Sequence, residues 1–462
     1  MGTGLHRFAV HAACALLLGA CAISTPLPDL AKNAPAAFRN APQTQGPPGP
    51  VPDLEHWWHT FDDAQLERLI ERALAQNLTL QQARLRLVAA RALQHKSGTQ
   101  FKPQVSFHTF AQPDPNGSTS YFEIGFDAEW EFGFFGRGIA NARVAAADLQ
   151  LAENDIAAAR ATLIAEVART YLDLRAAQAR ASLLDGAVAL RRQNIELAKV
   201  RLRLNLASQS DLDKLDAELA TAQAEAAEPA QAIAQSQQAL AVLLAEQTPD
   251  EDLLATGTLP TLHDIAFGET PADLLRTRPE IRKAELDVLR AAGELGIARA
   301  DLWPKLALGG FLTSSTRMVG DVDRPNKAIG GVGPVIQIPI FDWGMRRDVV
   351  NAREAALQAA VLGYKQAVLE GVAEAENALA QWRRTQAQLA AAGASVLAMN
   401  RGAERARNLQ NIGLADKVDS ASAQIGATQA QLAFTLAQRE QALAFIAVYK
   451  SFGGALPPLE MR

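Results

Sequence analysis

A unit of about 200 residues is written twice along this 462-residue chain, and that duplication restricts the fold more than any other feature. Leu80-x-x-Ala83-x-Leu85-x-Leu87 returns as Ile281-x-x-Ala284-x-Leu286-x-Val288, 201 residues on, and Pro103-x-Val105 returns as Pro304-x-Leu306 at the same spacing. Asn141-Ala142-Arg143 is echoed by Asn351-Ala352-Arg353. Leu206-Ala207-x-x-x-Asp211 is echoed by Leu414-Ala415-x-x-x-Asp419, 208 residues apart. Each match alone is weak; four in one order define a repeat. Repeat 1 is placed at 57–265 and repeat 2 at 266–456, with a tail at 457–462.

Both copies share one internal order. A helix of roughly 35 residues ends near Gln100, or Asp301, where Pro103 or Pro304 stops it. Two strand-like stretches follow, within about 104–132 and 305–342, divided by loops at Pro113–Gly117 and Met318–Ala328. Long helices are then expected over about 138–246 and 345–452.

Strand alternation is sharpest from Tyr121 to Phe132. Phe122, Ile124, Phe126, Ala128, Trp130 and Phe132 share one face; Tyr121, Glu123, Gly125, Asp127, Glu129 and Glu131 share the other. The second copy ends in Ile336, Ile338 and Ile340 against Val335, Gln337 and Pro339. Strands of about 10 residues suit a tilted bilayer crossing, although a soluble sheet with one face on a core alternates in the same way. Phe134, Phe135 and Trp343 sit where an interfacial aromatic belt would.

No proline interrupts 116–228 or 340–456. Leu149, Ile156, Leu163, Ala177 and Leu184 fall on a seven-residue grid whose one polar member is Thr170, a coiled-coil-like seam. A continuous helix from Gly138 to Asn205 would be roughly 100 Å long. Pro229 falls inside the returning helix, where a kink is expected. Hydrophobic residues make up 48% of the chain, but much of that is alanine and only 6% of residues are aromatic, which suits closely packed rods.

Four strands cannot close a barrel, and an open edge is not tolerated in lipid. Self-association is therefore required if the strands cross a membrane. Two copies would make eight strands with a filled interior; three would make twelve and leave a passage.

The first twenty residues read as a signal peptide: Arg7, an apolar run from Phe8, then Leu18-Gly19-Ala20-Cys21. That last run resembles a bacterial lipobox with Cys21 as the lipidated first residue; an ordinary signal peptide with an incidental cysteine is the alternative. Residues 21–56, rich in Pro and Ala, form a tether. Cys14 would leave with the signal, so no disulfide can form. A net charge of −5 argues against a nucleic-acid partner. His56, His59, His95, His108 and His263 are scattered, and the spacing of His56 and His59 fits a surface pair better than a metal site. No phosphate-binding glycine loop opens a helix, so no nucleotide chemistry is indicated. Neither a catalytic constellation nor a cofactor is expected, beyond the covalent lipid at Cys21.

Trp57-Trp58-x-x-Phe61-x-Asp63-x-x-Leu66-x-x-Leu69-Ile70-x-x-Ala73-Leu74-x-x-Asn77 resembles the opening motif of the TolC/OprM-like outer membrane factors, in the NodT-type lipoprotein branch. The resemblance implies a homotrimer with a twelve-stranded barrel in the outer membrane and a twelve-helix tunnel in the periplasm. It implies a passive duct that works with a periplasmic membrane-fusion adaptor and an inner-membrane pump. Leu206, Ala207 and Ser208, with Leu414, Ala415 and Asp416, resemble the adaptor-docking tip. Asp211 and Asp419 match acidic positions at the periplasmic aperture, although capping of helix N-termini explains the same residues. Relatives often carry glycine ahead of this turn; Gly413 conforms, while Asn205 departs but tolerates a left-handed backbone. Glu123, Asp127, Glu129 and Glu131 are expected to line the barrel lumen. A lipid-anchored coiled-coil scaffold or adaptor without a pore is the rival reading, because it shares the lipobox and the helices.

Overall fold

A computed structural model describes residues 56–112, 121–262, 278–317 and 328–453, together with Arg39. The signal peptide, Cys21, nearly all of the tether, the loop residues 113–117 and 318–327, His263 and the tail lie outside the described residues. The chain divides into two compact units. One holds residues 84–155 and 282–367 with the first 33; the other holds 34–83, 156–281 and 368–462. The elements are helices α1 (Ala64–Gln76), α2 (Leu78–Thr99), strands β1 (Gln104–Gln112) and β2 (Tyr121–Glu131), then α3 (Arg137–Arg203), α4 (Gln209–Leu243) and α5 (Pro279–Ala300). They continue with β3 (Lys305–Arg317), β4 (Ala328–Gln337), α6 (Met345–Asn411) and α7 (Lys417–Ser451).

The first unit is built on one antiparallel sheet of order β1-β2-β3-β4. The two hairpins join through β2 and β3, one from each repeat, along eleven paired residues from Tyr121↔Arg317 to Glu131↔Ala307. Cross-strand partners share a face, so register assigns the faces. Val105 and Phe107 lie opposite Ala128 and Phe126, while Trp130 lies opposite Leu308 and Leu306 opposite Ile336. This apolar face is exposed along its length: Phe107, Phe126, Leu312 and Val332 are all about half exposed or more. β4 stops at Gln337, so Ile338 and Ile340, expected to continue its alternation, lie beyond the strand. In this unit Arg137, at the start of α3, pairs with Asp301 and lies 3.4 Å from Glu131, and Trp130 Nε1 donates to the Phe101 carbonyl at 2.9 Å.

The second unit has a dense core gathered around the opening motif. Trp57 stacks on Tyr449, and Phe61 and Trp382 both meet Phe445, all of them buried. Aromatic pairs of this kind add roughly 1 kcal/mol each beyond area burial. Asp63 caps α1 by accepting from the Gln65 and Leu66 amides, and its other oxygen accepts from the Tyr171 hydroxyl at 2.9 Å. Next to it the buried Arg175 donates to Gln65, to Gln178 and to the Ala255 carbonyl. Burial pushes the Tyr171 phenol up to about 12.

The duplication is kept in register. α3 and α6 are each 67 residues, α4 and α7 each 35, and all start 208 residues apart. In that register Asn141 matches Val349, so the Asn-Ala-Arg triplets, 210 residues apart, stand two residues out of the helix register. α2 and α5 end 201 residues apart, so the hairpins absorb the difference.

Two other expectations change. The single opening helix is two, because Asn77 leaves helical geometry (φ −58°, ψ 125°). Its side chain accepts from the Leu80 amide at 3.1 Å and donates to the Leu243 carbonyl at 2.9 Å, ending α1 and starting α2. The seven-residue seam along α3 is too narrow in its middle, where Leu163, Ile164, Ala165, Val167, Ala168, Tyr171, Leu172 and Leu174 are buried over about half of the circumference, while Thr162 and Arg169 stay exposed. Pro229 lies inside α4, the returning helix, as expected, and is buried.

Candidate functional site

Two helical turns in the second unit carry most of the residues singled out in the sequence. After α3 the chain closes with Asn205 at φ +56°. The Leu206 amide donates to the Arg201 carbonyl at 2.8 Å, and the Asn205 amide to Leu202 at 3.0 Å. After α6 the same bonds recur: Gly413 at φ +77°, Leu414 to Leu409 at 2.8 Å, and Gly413 to Gln410 at 3.0 Å. This is the Schellman ending, with a left-handed residue satisfying carbonyls that the helix leaves free. Asn205 therefore supplies the conformation that glycine supplies in the other copy. The turns present exposed apolar side chains: Leu204 62%, Leu206 67%, Ile412 68% and Leu414 74%. Ala207 and Ala415 are half-buried, and Ser208 is exposed.

Beyond each turn a cap opens the next helix. Ser208 and Asp211 form a reciprocal capping box: Ser208 Oγ accepts from the Asp211 amide at 3.2 Å, and Asp211 Oδ2 accepts from the Ser208 amide at 2.9 Å. The backbone N–H of Ser208, joined by its hydroxyl, holds the Asp211 carboxyl below the usual carboxylate range. Asp416 caps α7 through the Val418 amide at 3.3 Å. Asp416 also receives Arg201 Nη2 at 2.9 Å, an ion pair linking the end of the first helical hairpin to the second. Asp419, in the first turn of α7, is exposed and forms no ion pair among the described residues. Within one chain Asp211 is thus engaged by its cap, whereas Asp419 has no ion pair among the described residues.

Glu123, Asp127, Glu129 and Glu131 do share one face of the sheet, as their alternation predicts. That face is less uniformly acidic than β2 alone suggests. Register adds Phe110 opposite Glu123 and Phe311 opposite Asp127, with Ile329 and Val335 on β4. His108 Nδ1 lies 2.7 Å from Asp127 Oδ2.

Arg201 and His108 are the site residues that sequence reasoning missed as partners. Arg201 is one basic residue among several near a helix end, and its carboxylate belongs to the other repeat. His108 could have been found, because Gln104, Ser106 and His108 alternate on one side of β1 and the hairpin register puts them against the acids. Among the described residues no three His, Cys, Asp or Glu side chains are gathered as metal ligands, and no helix is long and apolar enough to cross a membrane.

Comparison with known proteins supplies the family context. The outer membrane efflux protein family matches residues 69–246 and 270–454, one segment for each repeat. The chain is 28% identical over 458 residues to outer membrane protein OprJ of Pseudomonas aeruginosa, spanning 95% of this chain and 94% of that protein. It is 26% identical over 442 residues to nodulation protein T of Rhizobium leguminosarum bv. trifolii, spanning 93% and 92%. A solved structure of the outer-membrane channel OprN superposes with TM-score 0.80 at 27% identity, covering 93% of this chain and 99% of that one.

Proposed function

The chain belongs to the outer membrane efflux protein family, and on that premise we propose that it is the passive exit duct of a tripartite efflux or export system. It is an outer-membrane efflux channel whose helical part extends into the periplasm, and it works with an adaptor and an inner-membrane pump. Three copies make the duct, each giving four strands to a twelve-stranded barrel and four long helices to the tunnel. Cys21 carries a covalent lipid that anchors the chain to the outer membrane. No turnover is assigned to it.

One observation carries this reading: a four-stranded sheet with an exposed apolar face and its outer edges, β1 and β4, unpaired among the described residues. A monomeric sheet of that kind would aggregate, and lipid excludes its unpaired backbone groups. Pairing β4 of one copy with β1 of the next removes both edges and closes the barrel after three. The apolar turn residues Leu206, Ala207, Leu414 and Ala415 offer the adaptor a docking tip, and Asp211 and Asp419 would form a ring of six carboxylates at the aperture. Arg201 and Asp416 tie the two turns of each copy together and favour the closed tip.

The purified lipidated protein should run as a heat-modifiable trimer and conduct ions in planar bilayers. A coiled-coil scaffold would give monomers or soluble bundles and no conductance, and that result would overturn the duct.

A further inference from the structure

We propose that the polar face of the sheet carries a subsite for organic cations with an aromatic or apolar body, an inference that rests on the duct reading and names a class of cargo. A hollow on this face draws on all four strands: His108 on β1, Glu123 and Asp127 on β2, Phe311, Thr313 and Ser315 on β3, and Ile329 on β4. Register sets their layout. Glu123 stands opposite Ser315 at one end and Asp127 opposite Phe311 at the other, with Thr313 between Gly125 and Ile329 in the middle.

Two glycines make the hollow possible by letting rings lie across the sheet. A Cβ at Gly125 would stand 3.1 Å from His108 Cε1 and 2.8 Å from Thr313 Oγ1, so the imidazole crosses β2 at that point and reaches Asp127. A Cβ at Gly331 would stand 3.1 Å from Phe311 Cε1 and 3.4 Å from its Cζ, so the phenyl ring lies down over β4. With any larger residue at either place, the rings would stand up and fill the space.

The chemistry of the lining selects one ligand class. Asp127 Oδ2 has His108 Nδ1 beside it at 2.7 Å, whereas the half-buried Glu123 has no ion pair among the described residues. Its carboxylate is free for an ammonium group, with the Thr313 and Ser315 hydroxyls as further acceptors. Phe311 offers a ring face for a cation or a flat apolar body, and Ile329 extends the apolar wall. Two carboxylates against one imidazole repel anions. All these groups come from one chain, so the subsite needs no residue from a neighbouring copy.

The test uses the full-length protein in planar bilayers with benzyltrimethylammonium as probe, tetramethylammonium as its ring-free counterpart and benzenesulfonate as the anion. Benzyltrimethylammonium should block the ion current, and benzenesulfonate should not. Glu123→Gln should raise the half-blocking concentration of both cations about fivefold, whereas Phe311→Ala should raise it more for benzyltrimethylammonium, which loses ring stacking as well as the cation–ring contact, than for tetramethylammonium. Block that is unchanged in both variants, or equal block by benzenesulfonate, overturns the subsite while leaving the duct intact. If the protein conducts nothing, the duct reading falls. Equilibrium dialysis of benzyltrimethylammonium against the detergent-solubilised chain then decides: binding lost in both variants supports the subsite, and no binding overturns it.

Discussion

Arg201, in the last turn of α3, holds Asp416, the N-cap of α7, at 2.9 Å, and so fastens together two turns that belong to different repeats. Both side chains are about two-fifths exposed, so the pair contributes at most about 1 kcal/mol to stability. Its consequence is positional. Arg201→Ala should leave the melting temperature nearly unchanged but raise single-channel conductance by loosening the tip. Asp416→Asn should do the same, because asparagine keeps the cap while removing the charge. Unchanged conductance in both would show that the pair does not restrain the aperture.

Asp211 gives a pH prediction of definite sign. Its carboxyl is held below the ordinary value of 3.8 by the Ser208 amide and hydroxyl, so the folded state favours the charged form. The stabilisation it contributes is present above pH 3.8 and is lost as pH falls through the depressed value. Carboxyl NMR titration should find Asp211 below 3.8 in the wild type and nearer 3.8 in Ser208→Ala. An elevated value in the assembled protein would instead show that repulsion within a carboxylate ring outweighs the cap.

The two left-handed turn residues should respond oppositely to substitution. Gly413→Ala places a Cβ at φ +77° and should cost about 1–2 kcal/mol in denaturant unfolding. Asn205→Gly, at φ +56°, relieves a mild strain and should be neutral or slightly stabilising. Equal losses in both would contradict the shared turn geometry.

Tyr171 predicts an alkaline component of stability. Its phenol is raised from 10.0 to about 12 by burial, so the folded state favours the protonated form. Stability is then complete below pH 10 and declines as pH rises from 10 towards 12. Tyr171→Phe should flatten that part of the difference curve in urea unfolding between pH 9 and 12, while losing the bond to Asp63 at all pH values. A wild-type-minus-variant curve with no slope there would remove the burial argument.

Neutralising Glu123, Asp127, Glu129 and Glu131 together should shift the reversal potential in a salt gradient towards anion permeation. If these residues faced lipid or bulk solvent instead, the selectivity would not move.

Local signals made much of this molecule readable. The alternation of β2, the two proline-free helical runs, the Schellman turns and the Ser208–Asp211 box all depend on residues within a few positions of one another. Asn77 shows where local reading runs out. Nothing nearby forbids a continuous helix, and the break is favoured by a bond to the Leu243 carbonyl, far along the chain. The middle of α3 makes the same point: a heptad count sees one narrow seam, but contacts with the opening motif at Asp63 and with α7 at Arg439 widen the buried face.

Element types, their order, the duplication and the need for self-association follow from the amino-acid sequence alone, because backbone conformation and amphipathic period are set by near neighbours. Tertiary structure alone decided the pairing of β2 with β3, the contact of Arg201 with Asp416, and the laying of His108 and Phe311 across Gly125 and Gly331. Those relationships join positions far apart in the chain. Their energies are a few hydrogen bonds and ring contacts, too small to leave a pattern in the sequence until the fold brings the partners within reach.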